Sequence, residues 1–189
     1  MNCLKAAFII IFSIIGNNSK AQDIHFSQFN CSPLNLNPSL TGAYNGDYRF
    51  TAIHRSQWKS VTVPYRSFSG SVDAFLSAIS KNKNRFNAGF VFNNDLAGDS
   101  KMGTNAFEIS ISDIRSLDKD SAHFVGFGFQ TGYVLRSIDY SSLTFDEQFN
   151  GDVFDPSIGN TEQFSNDGHG YLDVGAGISY IFRKSDHFN

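Results

Sequence analysis

From residue 47 onward, apolar and polar side chains alternate with a period of two rather than 3.6, the pattern of strands that are apolar on one face only. Phe68, Gly70, Val72 and Ala74 interleave with Ser67, Ser69, Ser71 and Asp73. Phe86, Ala88, Phe90 and Phe92 interleave with Asn87, Gly89, Val91 and Asn93, while Asn105, Phe107, Ile109 and Ile111 oppose Thr104, Ala106, Glu108, Ser110 and Ser112. The two longest runs set Val125, Phe127, Phe129, Thr131, Tyr133 and Leu135, and then Leu172, Val174, Ala176, Ile178, Tyr180 and Phe182, against rows rich in glycine. A weaker first run places Tyr48, Phe50 and Ala52 opposite Arg49, Thr51, Ile53 and Arg55. Six strands are predicted.

Charge separates the two rows. The apolar rows contain none, whereas the opposite rows carry Arg49, Arg55, Asp73, Glu108, Arg136, Asp173 and Arg183. A face in hydrocarbon demands this sorting, because Arg or Lys at mid-depth costs roughly 2–4 kcal/mol. A face packed on a second sheet in a soluble sandwich demands it too. Length favours the first reading: the last two runs alternate for about 12 residues, against about 5–6 in soluble strands and about 9–11 in membrane strands. Tyr133 and Tyr180 lie near strand ends, where an interfacial girdle belongs. The predicted fold is therefore all-β, an antiparallel transmembrane β-barrel of the bacterial outer membrane. A soluble secreted β-sandwich or jelly roll and a simple outer-membrane porin remain as alternatives.

The front of the chain is different. Lys5, the apolar run Ala6 to Ile15 and Ser19-Lys20-Ala21 read as a secretory signal peptide over 1–21, cleaved near Ala21-Gln22. Residues 22–46 lack long alternation and contain Pro33 and Pro38, as expected of a plug or periplasmic segment ahead of a barrel domain at 47–189. With the mature N-terminus in the periplasm, Lys59 to Tyr65, Asp95 to Met102 and the long connection Ser137 to Gly170 become external loops. Ser77 to Arg85 and Arg115 to Ala122 become the shorter periplasmic turns, the usual asymmetry of such barrels.

Composition narrows the function. Phenylalanine accounts for 20 of 189 residues and charged residues for only 17%, against about 25% in average chains. That excludes disorder and a coiled coil. A net charge of −3 argues against a nucleic-acid surface. His25, His54, His123, His169 and His187 fall at no metal-binding spacing, and neither H-E-x-x-H nor G-x-S-x-G occurs. Cys31 is the only cysteine beyond the signal and lacks a catalytic context. Asn93, Asn94, Asp95 and Asp99 read as a polar turn rather than a calcium loop, and so do Asp146, Glu147, Asp152 and Asp155 in the long loop. No enzyme, cofactor or metal is expected. The inward charges form either a network satisfied away from lipid or a basic strip guiding a passing polypeptide.

Short motifs add a family resemblance. Gln22-Asp23-Ile24-His25-Phe26-Ser27-Gln28-Phe29 is followed by Asn37-Pro38-Ser39-Leu40-Thr41-Gly42, Asn45-Gly46-Asp47-Tyr48-Arg49 and Arg55-Ser56-Gln57-Trp58. Val63-Pro64-Tyr65, Ala97-Gly98-Asp99, Gln148-Phe149-Asn150-Gly151, Phe154-Asp155-Pro156-Ser157 and Asp173-Val174-Gly175-Ala176-Gly177 come later. In this order they resemble the PorP/SprF family of Bacteroidetes outer-membrane proteins. The resemblance implies a β-barrel of the type IX secretion and gliding machinery. The partners it implies are periplasmic ring proteins, lipoproteins and an exported cell-surface adhesin. Members of that family are longer and have more strands, so this chain is expected to supply only the first strands, short of the roughly eight that close a barrel. Partner contacts are expected at Asp23, His25, Phe26, Phe29, Asn37 and Pro38, in the segment with the densest motif, or in the periplasmic turns.

Overall fold

The computed structural model describes residues 26–60, 63–76, 84–98, 101–118, 122–140, 143–155, 157–159 and 168–182. The predicted signal peptide, Asp23, His25 and Arg183 lie outside this set. Six antiparallel strands follow one another in sequence order: β1 (Tyr48–Gln57), β2 (Tyr65–Phe75), β3 (Arg85–Ala97), β4 (Met102–Ser116), β5 (His123–Ser137) and β6 (Gly168–Phe182). The chain is all-β, a simple up-and-down meander. It forms an open sheet of the kind found at the start of a β-barrel, and β1 and β6 are not paired with each other among the described residues.

Register keeps the two rows intact across every strand. Phe50 faces Val72, Val72 faces Phe90, and Phe90 faces Ile109. Ile109 faces Thr131, and Thr131 faces Val174, so a single apolar belt crosses the whole sheet. A one-residue slip at any pairing would exchange the faces, so the pattern itself fixes the register.

The two faces differ in what covers them. The buried apolar side chains are Phe26 and Leu34, which precede the sheet, and Val91, Ala106, Ile114 and Val134, which sit in the polar rows. The belt is bare. Phe50 is 77% exposed, Ile109 60%, Leu172 75% and Ile178 64%. No second sheet lies on this outer face among the described residues, so the sandwich alternative lacks its other layer. No described helix is long and apolar enough to cross a membrane.

The belt has polar borders. On β3 and β4, the amide of Asn94 donates to Asn105 at 2.8 Å at one end, and Arg115 pairs with Asp113 at 2.7 Å at the other. Between Asn105 and Asp113 the outward positions of β4 are Phe107, Ile109 and Ile111. At about 3.4 Å per residue and a tilt near 40°, that interval spans roughly 20 Å, close to the ~25 Å apolar band of outer-membrane barrels. His123 and Tyr180 hydrogen-bond at 2.6 Å on the Asp113 side, and Trp58 meets Tyr65 edge-on at 5.0 Å beyond the opposite border.

One expectation is corrected. Asn93, Asn94 and Asp95 are not a turn but lie in the last third of β3, and Asp99 lies outside the described residues. Each of the three has a partner that makes extended structure affordable there: Asn35 for Asn93, Asn105 for Asn94 and Ser67 for Asp95. The β4–β5 turn is held by Asp118, whose carboxylate accepts the amides of Ala122 and His123 at 3.0 and 3.1 Å. Desolvation pushes this carboxyl up, but those amide donors outweigh it and hold Asp118 below the usual range. Its contribution is therefore present at neutral pH and is lost as pH falls through the depressed value.

The belt predicts a depth-dependent response to charge. Ile109→Arg should destabilise the protein folded in lipid vesicles by about 2–4 kcal/mol, and Asn105→Arg by no more than about 1 kcal/mol. Urea titration in vesicles distinguishes them; equal costs would contradict a lipid-facing belt.

Candidate functional site: a strap on the polar face

Residues 26–46 form a strap across the polar, inner face. The strap is built from short pieces, a 3-10 turn (Phe29–Cys31), a single α-helical turn α1 (Pro33–Leu36) and a second 3-10 turn (Pro38–Leu40), the last two each opened by a proline. The second turn shows why Asn37-Pro38-Ser39 suits this place. Asn37 caps it, accepting from the amide and hydroxyl of Ser39 at 2.9 and 2.8 Å, and Pro38 occupies the first position, where no amide is required. The side-chain amide of Asn37 then donates to the Ile178 carbonyl on β6 at 3.1 Å. Cap and anchor are one side chain.

The wall is shaped to receive the strap. A Cβ on Gly128 would overlap the backbone of Pro38 and Ser39, so only glycine permits this approach. Leu34 and Thr41 lie over Gly89, and Asn37 lies over Gly177. Ser39 and Thr41 are completely buried. Thr41 shares a hydrogen bond of 2.6 Å with Ser110, and the Ser112 hydroxyl donates to the Thr41 carbonyl at 2.6 Å. Asn35 and Asn93 exchange amide hydrogen bonds of 2.9 and 3.1 Å, with Asn35 also donating to Ser69 at 2.8 Å.

One ion pair within the wall holds the strap through hydrogen bonds. Arg49 on β1 lies directly opposite Asp73 on β2, and its guanidinium donates to both carboxylate oxygens, at 2.9 and 2.7 Å. Asp73 also accepts the Gly42 amide at 2.7 Å, while Arg49 donates to the Leu40 carbonyl at 3.0 Å. Gly42 adopts φ of +71°, a conformation that turns its amide toward the carboxylate and favours glycine. The Tyr44 ring packs under the Arg49 guanidinium at 4.7 Å, and Arg85 donates to the carbonyls of Tyr44 and Gly46. Asp73 is fully buried, so each of these donors is needed to hold its charge.

A family model described as "Type IX secretion system membrane protein PorP/SprF" matches residues 18–187. The chain belongs to the PorP/SprF family. It is accordingly a membrane component of type IX secretion, from a family of secretion-system membrane proteins rather than of enzymes. No curated protein and no solved structure matches it.

The PorP/SprF strap places the sequence-selected residues as follows. Asn37 and Pro38 are engaged with the chain's own sheet. Phe26 is buried, with Arg55 over its ring at 5.9 Å, whereas Phe29 is 61% exposed on the strap's far side. Arg49, Arg55, Asp73, Glu108, Arg136 and Asp173 share the inner face but form no single cluster. Arg55 donates to Ser67 at 3.1 Å; Glu108 accepts from Gln130 at 2.9 Å; Arg136 lies over the Tyr171 ring at 5.7 Å; Asp173 is exposed on β6. No group of three or more His, Cys, Asp or Glu side chains among the described residues could hold a metal ion. Sequence reasoning missed Asn35, Thr41 and the serine ladder Ser69, Ser110 and Ser112. The available signal was the glycines of the polar rows, which mark where another backbone comes close.

The buried pair dominates docking. Asp73→Ala leaves Arg49 without its carboxylate and frees the Gly42 amide, for an expected loss of about 3–5 kcal/mol. The measurable result is protease cleavage within residues 26–46 of the folded protein under conditions that spare the parent. Unchanged protection would show that the strap does not depend on this pair.

Proposed function

We propose that the protein is a lipid-embedded wall of an outer-membrane β-barrel, reached after signal-peptide cleavage near Ala21-Gln22. It scaffolds periplasmic ring proteins and lipoproteins of type IX secretion and gliding, and it assists export of a cell-surface adhesin. The observation that carries this reading is the bare apolar belt across all six strands, together with an inner face already covered by the chain's own strap. A belt of that composition left in water would be an aggregation site; in acyl chains it is at rest. The strap docked on the inner face supports a scaffold over an open small-solute pore, since Ser39 and Thr41 are buried against the wall.

The strap also orders the roles of its residues. Asn37 and Pro38 position it, which leaves its exposed residues, including Phe29 and Leu36, as the part offered to partners. The inner charges Arg49, Asp73 and Glu108 act as structural groups that keep ionised and polar atoms away from lipid. The long connection between β5 and β6 is the external face of this arrangement, with Phe149 paired to Phe154 around the turn Asn150-Gly151-Asp152-Val153.

Fractionation with surface labelling tests the proposal. The protein should stay with outer membranes after osmotic shock, and a cysteine introduced at Asp152 should react with an impermeant reagent on intact cells. Release with the soluble periplasm would overturn the membrane wall; labelling only after lysis would overturn the orientation. Affinity capture of ring proteins that is lost with Leu117→Asp, at the exposed periplasmic end of β4, would support the scaffold role, and retention of capture would move the contact elsewhere.

A further inference from the structure

The outer face carries one notch in its belt. At the row Ala52–Gly70–Phe92 two small residues fall side by side on β1 and β2, with Phe50, Val72 and Phe90 in the row below. The result is a hollow of about 510 Å³, lined by Phe50, Ala52, Gly70, Val72, Phe90 and Phe92. The Phe68 ring leans over Gly70 from above, 3.4 Å from where a Cβ would sit, and forms the notch's upper lip.

The chemistry changes abruptly above that lip. His54 shares the row of Phe68, and Arg66 follows one row higher on the same face, exposed. Arg66 is four residues from Gly70, about 13 Å along the strand. Lys59 lies in the connecting loop, and residues 54–66 contain no Asp or Glu. Neither Arg66 nor Lys59 has an ion pair or hydrogen bond among the described residues. A shallow apolar notch two rows tall thus lies below the Phe68 lip, with the cations of Arg66 and Lys59 above it.

We infer that this notch is a lipid A site: an acyl chain lies between Phe50 and Phe90 over Gly70, and a glycolipid phosphate meets Arg66 and Lys59. The inference rests on the membrane reading and on its orientation, which puts the β1–β2 connection outside, where lipid A is the phosphate-bearing lipid. Guanidinium suits a phosphate oxygen pair better than any neutral headgroup. The small residues supply the space, and the cations supply the selectivity.

Titration of the detergent-purified full chain with lipid A, followed by native mass spectrometry, tests the site. Arg66→Gln should weaken binding about tenfold, the equivalent of about 1.4 kcal/mol. Gly70→Leu, which fills the notch, should weaken it comparably, whereas Ala176→Leu on β6 should not. Arg66→Lys should keep most of the affinity. If Arg66→Gln loses the β-sheet circular dichroism of the parent in detergent, Lys59→Gln in the exposed loop carries the charge test. Equal binding by parent, Arg66→Gln and Gly70→Leu would overturn the site. So would equal affinity for phosphatidylglycerol, which would replace lipid A as the occupant. A protein that stays dispersed without detergent would overturn the membrane reading itself, a result distinct from a detergent-dependent protein indifferent to lipid A.

Discussion

A single sheet with chemically opposite faces requires two different surroundings, and the rest of the molecule answers that requirement. The register carries Phe50, Val72, Phe90, Ile109 and Val174 along one side, with Thr131 as the one polar member of the row. It carries Arg49, Asp73, Asn87, Glu108 and Gln130 along the other. Water suits only the second side, and even there the buried carboxylates of Asp73 and Glu108 need dedicated donors. The strap meets the polar side's needs with hydroxyls, amides and backbone atoms. On the proposed reading, the apolar side is left to the membrane, in keeping with a family of membrane proteins.

This division inverts the usual core. In a water-soluble sheet protein, the apolar rows would be the hidden ones. Here the hidden residues are serines, asparagines and an aspartate, with a few apolar side chains such as Leu34 and Val91 among them. Stability on that side therefore depends on hydrogen-bond completeness more than on apolar area, since a single unpaired buried polar group costs about 1–3 kcal/mol. The reciprocal Asn35–Asn93 pair and the triple use of Asp73 show how completely the strap fits the wall.

The alternation of two made the strands and their faces readable, because a period of two survives whatever medium each face meets. It also exposed the inward charges, and the Arg49–Asp73 pair follows from their opposition in register. Strand ends were less readable: Asn93-Asn94-Asp95 has the local chemistry of a turn, and only partners distant in sequence make it extended. The strap's path was invisible for the same reason. Nothing local in Asn35-Leu36-Asn37 indicates that one asparagine reaches β3 and the other β6. The Asn37-Pro38 motif was expected to meet a partner; in the structure both residues engage the chain's own wall.

The central claim concerns the medium against the phenylalanine side. A tryptophan placed at Phe90, with Trp58 changed to phenylalanine, reports it through quenching by lipids brominated along the acyl chain. The account predicts strong quenching in vesicles, deepest for bromines near the bilayer centre. Fluorescence indifferent to brominated lipid, from a protein that stays monodisperse in plain buffer, would contradict it.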